Sequence, residues 1–164
     1  MFCDLKAGVI LVAEDNPDEA LLLQRAFKKA GVDVRIHVCA DGNEATEYLR
    51  GENAFTDRIR FPFPSMVITD LKMPRCNGFE LLERMQKEHR CSVFPRVVLS
   101  ASAEDRDVKR AFRAGANCYL QKPTRFDDLV GMVKSLCDFW IGTLVPPPMQ
   151  PLFPDANAAP GLTI

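Results

Sequence analysis

The sequence predicts an α/β fold, doubly wound about one five-stranded parallel sheet with helices on both faces. Three observations predict it. Five short runs rich in apolar and β-branched residues recur along the 164 residues: VILVAED (9–15), VRIHVCA (34–40), MVITD (66–70), RVVLSA (96–101) and CYLQKP (118–123). Stretches with apolar residues at helical spacing separate them, which is the alternation of a parallel sheet with crossover helices. Four of the runs end in polar residues out of place in a core, namely Glu14 with Asp15, Asp70, Ser100 and Lys122. Runs this apolar read as strands buried on both faces, and ligands in open α/β sheets bind at the carboxyl ends of the strands. Three carboxylates, a hydroxyl and an ammonium are therefore expected to meet on one patch.

The elements follow in order. The first strand leads into Asn16-Pro17-Asp18-Glu19, with a capping side chain, a proline suited to the first turn, and acids where the helix dipole favours them. Ala20, Leu23, Phe27 and Ala30 share one face of the helix that follows, Lys28 and Lys29 fill its last turn, and Gly31 ends it. After the second strand, Asp41 and Glu44 are spaced as a capping box for a short helix reaching Arg50. Residues 51–64 (GENAFTDRIRFPFP) have loop composition. The third strand ends at Asp70, and after LKMPRCNG a helix is expected near 78–89, capped by Asn77. Pro95 precedes the fourth strand, Ser102 and Asp105 are spaced to box a helix over 104–114, and Gly115 closes it. The exposed side of that helix is densely charged, with Glu104, Asp105, Arg106, Asp107, Lys109, Arg110 and Arg113. The fifth strand ends at Lys122-Pro123, and Thr124 with Asp127 is expected to start a last helix running to Trp140.

Length fits one domain, here residues 1–142, followed by a tail over 143–164 that carries half of the chain's twelve prolines. Two readings of that tail stand: a disordered end, or an apolar segment (Phe139–Pro148) that packs against a second protomer or a kinase. Net charge is −1, which points to neither nucleic acid nor membrane as a partner. No apolar run approaches the roughly 20 residues of a membrane span, and the N-terminus has no basic start for a signal peptide; the expected location is cytoplasmic. The six cysteines (3, 39, 76, 91, 118 and 137) show no CxxC pairing and read as reduced core or rim thiols.

Three carboxylates held close repel one another, and burying them needs compensation. A hard divalent cation such as Mg²⁺ accepts a few carboxylates along with waters and phosphate oxygens. Lys122 adds a compact ammonium suited to a phosphate oxygen, and Ser100 a hydroxyl donor. The set is suited to holding a phosphoryl group through a loose transition state by positioning and charge neutralisation, and a carboxylate can itself be the nucleophile.

At these residues the chain closely resembles the receiver domain of two-component response regulators. The resemblance covers roughly residues 8–140 and rests on VAEDNPDEA, DLKMPRCNGFELL, the SAS segment after the fourth strand, and YLQKP. It implies a flavodoxin-like three-layer (βα)₅ sandwich. It also implies Asp70 as phosphoacceptor, with Glu14, Asp15, Asp70 and the backbone carbonyl of Lys72 as the protein ligands of Mg²⁺. Ser100 and Tyr119 match the switch hydroxyl and aromatic, Lys122 the phosphate-pairing lysine, and Pro123 would follow a cis peptide bond. The ED-N-P-D-E opening, the long 51–64 connection and the FW-containing last helix look most like single-domain regulators paired with phytochrome-type or other sensor histidine kinases. The implied partners are a sensor histidine kinase or phosphotransfer protein and a downstream protein target; a homodimer through the last helix and tail is the expectation drawn from the apolar composition there. The implied chemistry is phosphoryl uptake and loss on Asp70 rather than turnover of a separate substrate, with output through the fourth helix, fifth strand and fifth helix.

The rival from another class is a Mg²⁺-dependent aspartyl-nucleophile phosphatase, which needs a second Asp two residues after the nucleophile; that position is Lys72. An FMN binder of the same fold would need a hydroxyl- and glycine-rich loop where Glu14 and Asp15 stand. Cys91-Ser-Val-Phe-Pro-Arg96 has one residue too few for a cysteine phosphatase loop, and His37 and His89 lack metal-ligand partners at useful spacing, so all three are read as structural.

Overall fold

The computed structural model describes residues 8–88, 91 and 95–143. Strands β1 (Val9–Ala13), β2 (Arg35–Cys39), β3 (Met66–Thr69), β4 (Arg96–Ser100) and β5 (Cys118–Gln121) alternate with helices α1 (Pro17–Lys29), α2 (Gly42–Arg50), α3 (Gly78–Lys87), α4 (Asp105–Ala114) and α5 (Phe126–Cys137). All strand pairs are parallel, in the order β2-β1-β3-β4-β5. Winding reverses between β1 and β3, which opens a crevice at their carboxyl ends.

Every residue of β1, β3 and β4 is buried, while the edge strands β2 and β5 are mostly half-buried. Successive side chains of a strand point to opposite faces, so one strand feeds two cores. Ile10, Val12, Met66, Ile68, Val97 and Leu99 pack with Leu23 and Phe27 of α1 and with Val133 and Leu136 of α5. Val9, Leu11, Ala13 and Val67 pack with Tyr48 and Leu49 of α2 and with Leu81 and Met85 of α3. A smaller cluster ties Phe79 and Leu82 of α3 to Val98 and to Ala111 and Ala114 of α4. Helices α1 and α5 thus cover one face and α2 to α4 the other. Burying one Leu- or Phe-sized side chain stabilises by about 1.5–3 kcal/mol, so α4, whose fully buried residues are two alanines, is weakly anchored.

The helix starts show where local sequence rules hold. Asn16 accepts the amides of Asp18 and Glu19, and Asn77 with Glu80 forms a reciprocal capping box. Asp41 accepts the amides of Asn43 and Glu44, but the Glu44 carboxylate reaches past it to the Ala40 amide at 2.6 Å. The two boxes expected later do not form. At α4 the cap position is Glu104, in extended conformation and without a side-chain cap; Ser102, two residues upstream, is too far back to reach the first-turn amides. At α5 the cap position is Arg125, and Asp127 instead pairs with Lys29 of α1 at 2.7 Å. Helix α5 ends at Cys137, and the chain continues as a π-helical turn over Asp138–Thr143.

Residues 51–64 contain one 3₁₀ turn, Asn53–Phe55. This connection carries Phe55 and Phe61 to His37 and Tyr48, with His37 4.7 Å from the Tyr48 ring and edge-on to both phenylalanines. Burial lowers the His37 pKa, which keeps the ring neutral and supports its structural reading. Cys39, Cys76, Cys91, Cys118 and Cys137 are all free thiols. The expected cis bond before Pro123 is corrected: every described peptide bond is trans. Trans is favoured before proline by about 0.5–1 kcal/mol, and the trans chain already lets the Lys122 amide donate to the Ser100 carbonyl at 2.8 Å. His89, Cys3 and the tail from residue 144 onward lie outside the described residues.

Candidate functional site

The polar residues at the strand ends are held by hydrogen bonds that carry the sheet ladder one step past each strand. The Glu14 amide donates to the Cys39 carbonyl and the Asp70 amide to the Ala13 carbonyl, both at 3.0 Å, and the Lys122 amide donates to Ser100 as above. Backbone pairing, not side-chain chance, therefore aims Glu14, Asp70 and Lys122 into one crevice.

There the Lys122 ammonium donates to Glu14 Oε2 at 2.7 Å and to Asp70 Oδ2 at 3.2 Å, and it also pairs with Glu19. Asp70 Oδ1 accepts the Leu71 amide at 2.6 Å, and Glu14 Oε1 accepts the Asn16 amide at 3.0 Å. Glu14 is 7% exposed and the Asp70 side chain 13%, while Asp15 is open to solvent. Oxygens of Glu14, Asp15 and Asp70 all lie within 4.8 Å of one another, a spacing and donor set that fit a small oxygen-seeking divalent cation. Burial pushes the Glu14 carboxyl above its ordinary value, against the opposing pull of Lys122 and the Asn16 amide. Burial alone would lower the Lys122 pKa, but its hydrogen bonds to Glu14 and Glu19 and the charge of Asp70 outweigh it. The net shift is upward, so the ammonium stays charged at neutral pH.

Ser100 is 1% exposed, and its Oγ accepts the Ser102 amide at 3.3 Å. Tyr119 is half-buried, and its hydroxyl donates to the Ser102 carbonyl at 2.9 Å. Ser102 Oγ donates to Asp107 of α4 at 2.7 Å and accepts the Glu104 amide at 3.3 Å. Lys72 is exposed on the loop after Asp70. Of the residues singled out from sequence, Glu14, Asp15, Asp70 and Lys122 meet directly. Ser100 and Tyr119 are joined to one another through Ser102 rather than by contact.

Two connections of the network escaped the sequence reading. Glu19 satisfies every rule for a first-turn helix acid, and only the strand order shows that its helix starts beside Lys122. Ser102 looked like a cap, but it links Ser100 and Tyr119 to α4. The adjacent loop adds a third feature: Arg75, at a left-handed φ of 61°, pairs with the buried Asp41 at the start of α2.

The chain is similar to known proteins over most of its length. The response regulator receiver domain family matches residues 10–134. The probable methanogenesis regulatory protein FilR2 of Methanothrix harundinacea is 37% identical over 134 residues, covering 82% of this chain and 84% of that protein. Response regulator Rcp1 of Synechocystis is 30% identical over 139 residues, 85% of this chain and 92% of that one. The Mn²⁺-bound structure of Rcp1 superposes with a TM-score of 0.75 at 29% identity, over 86% and 99% of the two chains. Response regulator RPA3017, from red light signaling of R. palustris, superposes with a TM-score of 0.82 at 31% identity, over 87% and 99%.

Proposed function

This chain belongs to the response regulator receiver domain family, and from that membership we propose that Asp70 accepts a phosphoryl group from the phosphohistidine of a sensor kinase or phosphotransfer protein. The observation that carries the assignment is the convergence of Asp70, Glu14 and the Lys122 ammonium at the ends of β3, β1 and β5, with Lys122 Nζ 3.2 Å from Asp70 Oδ2. Receiver domains bind a divalent metal, and Mg²⁺ is the proposed ion here, held by Glu14, Asp15, Asp70 and the Lys72 carbonyl. When bound, it would supply positive charge to the phosphoryl oxygens.

The chain's own residues do the rest. An Asp70 carboxylate oxygen attacks phosphorus; the P–O bond forms as the donor's P–N bond breaks, and the leaving imidazole takes up a proton. The transition state is loose, so positioning and charge dominate. Asp70 enters as a fixed nucleophile because its other oxygen is tied to the Leu71 amide. Lys122 offsets the added negative charge by exchanging carboxylate partners for a phosphoryl oxygen. The Ser100 hydroxyl donates to the same group, and its shift moves Ser102, which carries Tyr119 and the start of α4 with it. The surface of α4, β5 and α5 then changes for a partner protein.

Catalysis is confined to Asp70 itself. The phosphatase alternative lacks its second acid, since Lys72 stands at that position. The likeness to a regulator of red light signaling supports a photoreceptor-coupled kinase as donor, and the absence of a membrane-length apolar helix among the described residues is compatible with cytoplasmic action. The exposed Phe139, edge-on to Trp140 at 5.2 Å, supports self-association through the end of α5. The test is phosphoryl uptake from a phosphoramidate donor, read by intact mass. Wild-type chain gains one phosphoryl group and Asp70→Asn none; equal uptake by both overturns the assignment.

A further inference from the structure

The Lys122 ammonium has three N–H donors, and three carboxylates take them up: Glu14 at 2.7 Å, Asp70 at 3.2 Å, and Glu19. Its donors are therefore filled before any phosphoryl group arrives. The three acids are not held alike. Glu14 and Asp70 follow strands, and each anchors its second oxygen on a backbone amide, that of Asn16 and that of Leu71. Both also belong to the oxygen cluster suited to a divalent cation. Glu19 comes instead from the first turn of α1, its side chain is 44% exposed, and among the described residues its carboxylate makes no other hydrogen bond or ion pair. Asp18 beside it already offers the helix dipole an acid, so the helix start does not depend on a second one. Its direction is built into the cap. The Asn16 side chain accepts the Glu19 amide at 3.3 Å, while the Asn16 amide holds Glu14 Oε1 at 3.0 Å. One residue thus fixes both acids relative to the crevice.

We propose that Glu19 is a positioning residue that holds Lys122 back from the phosphoryl group on Asp70, and so sets how strongly the site takes that group. It rests on the reading of Lys122 as the phosphoryl partner, and it adds the side chain that opposes the partnership. Once Asp70 Oδ2 bonds to phosphorus it loses its charge, and the N–H that faced it turns to a phosphoryl oxygen. Glu14 and Glu19 still pull the ammonium the other way. Two carboxylates against one ammonium leave a negative balance beside an anionic group, which works against binding it. Taking Glu14 away would dismantle the crevice. Taking the Glu19 charge away would leave only a solvated helix turn and an ammonium with one donor freed. An ion pair with one exposed member shifts an equilibrium by a factor of a few, which tunes a site without disabling it.

The experiment compares Glu19→Gln with Asp18→Asn, which removes the same charge one residue away from a side chain with no ion pair among the described residues. In ¹⁵N spectra of the full chain, with neither metal nor phosphoryl donor, Glu19→Gln should shift the Leu71 amide. That amide reports on Asp70 through its hydrogen bond, and the released ammonium moves onto Asp70. Asp18→Asn should leave it in place. With Mg²⁺ and beryllofluoride, Glu19→Gln should tighten binding about three- to tenfold, and phosphoramidate uptake should quicken by a similar factor. Both gains should vanish in a Lys122→Gln background, as a residue acting through Lys122 requires. The proposal is overturned if the Leu71 amide stays put, if Asp18→Asn gives equal gains and so shows a diffuse field, or if the gains survive in Lys122→Gln. Wild-type uptake with no response to Glu19→Gln removes only the role of Glu19. No uptake by the wild-type chain removes the receiver assignment, and the Leu71 amide, read without any donor, then decides whether Glu19 holds Lys122 off Asp70.

Discussion

Asp41 shows how one side chain supports the site from outside it. Its carboxylate, 4% exposed, accepts the amides of Asn43 and Glu44 at 2.7 and 3.0 Å and pairs with Arg75 from the loop after Asp70. Burial pushes its pKa up, but the two amides and the guanidinium outweigh that and leave it below the ordinary value. A depressed carboxylate contributes stability above its unfolded value of about 4, and that contribution is lost as pH falls through the folded value. Asp41→Ala is therefore expected to cost about 1–3 kcal/mol at neutral pH, with the gap to wild type narrowing below about pH 4. Urea unfolding at several pH values checks both, and a gap that widens in acid contradicts the argument. At this scale Asp70, Glu14 and Lys122 were legible in sequence because a polar residue ending an apolar run violates the pattern of a core. Glu19 was not, because a first-turn acid breaks no rule.

At the scale of the element, the junction of β3 with α3 is the tightest point. A Cβ on Gly78 would overlap the Asp70 carbonyl oxygen and come within 2.9 Å of the Leu71 Cα. The constraint is space, not backbone angle: only a bare Cα lets α3 begin so close behind the acceptor. Gly78→Ala should force the helix away, at a cost of about 1–3 kcal/mol, and slow phosphoryl uptake on Asp70 roughly tenfold by misplacing the carboxylate. Stopped-flow uptake from phosphoramidate reads the second effect; normal kinetics in a destabilised variant would show that α3 and Asp70 move independently. The helices themselves were legible where caps lie within their own first turn, as at Asn16 and Asn77. The starts of α4 and α5 were misread because the Ser102 hydroxyl, set two residues ahead of the cap position, bonds the Glu104 amide and the Asp107 carboxylate, and because Asp127 pairs with Lys29 on another helix.

For the whole molecule, the site draws on the ends of four strands and one helix, so a ligand that binds only the folded state is coupled to global stability. Mg²⁺ with beryllofluoride, a phosphoryl mimic, at about 100 times its dissociation constant should stabilise the chain by about 2.7 kcal/mol. For a domain of this size that raises the melting temperature by about 5–11 °C. Asp70→Ala should lose the shift, and a shift that survives would place the binding elsewhere. The sequence by itself determined the alternation of strands and helices, the core strands, and the identity of the acidic cluster with its lysine. These depend on residue type and period, which are properties of neighbours along the chain. Only the tertiary structure decided the strand order β2-β1-β3-β4-β5, the meeting of Glu19 with Lys122, the trans bond before Pro123, and the path from Ser100 through Ser102 to α4. Those depend on which strand ends lie side by side, and packing two hydrophobic layers against one sheet settles that, not any local preference of the residues involved.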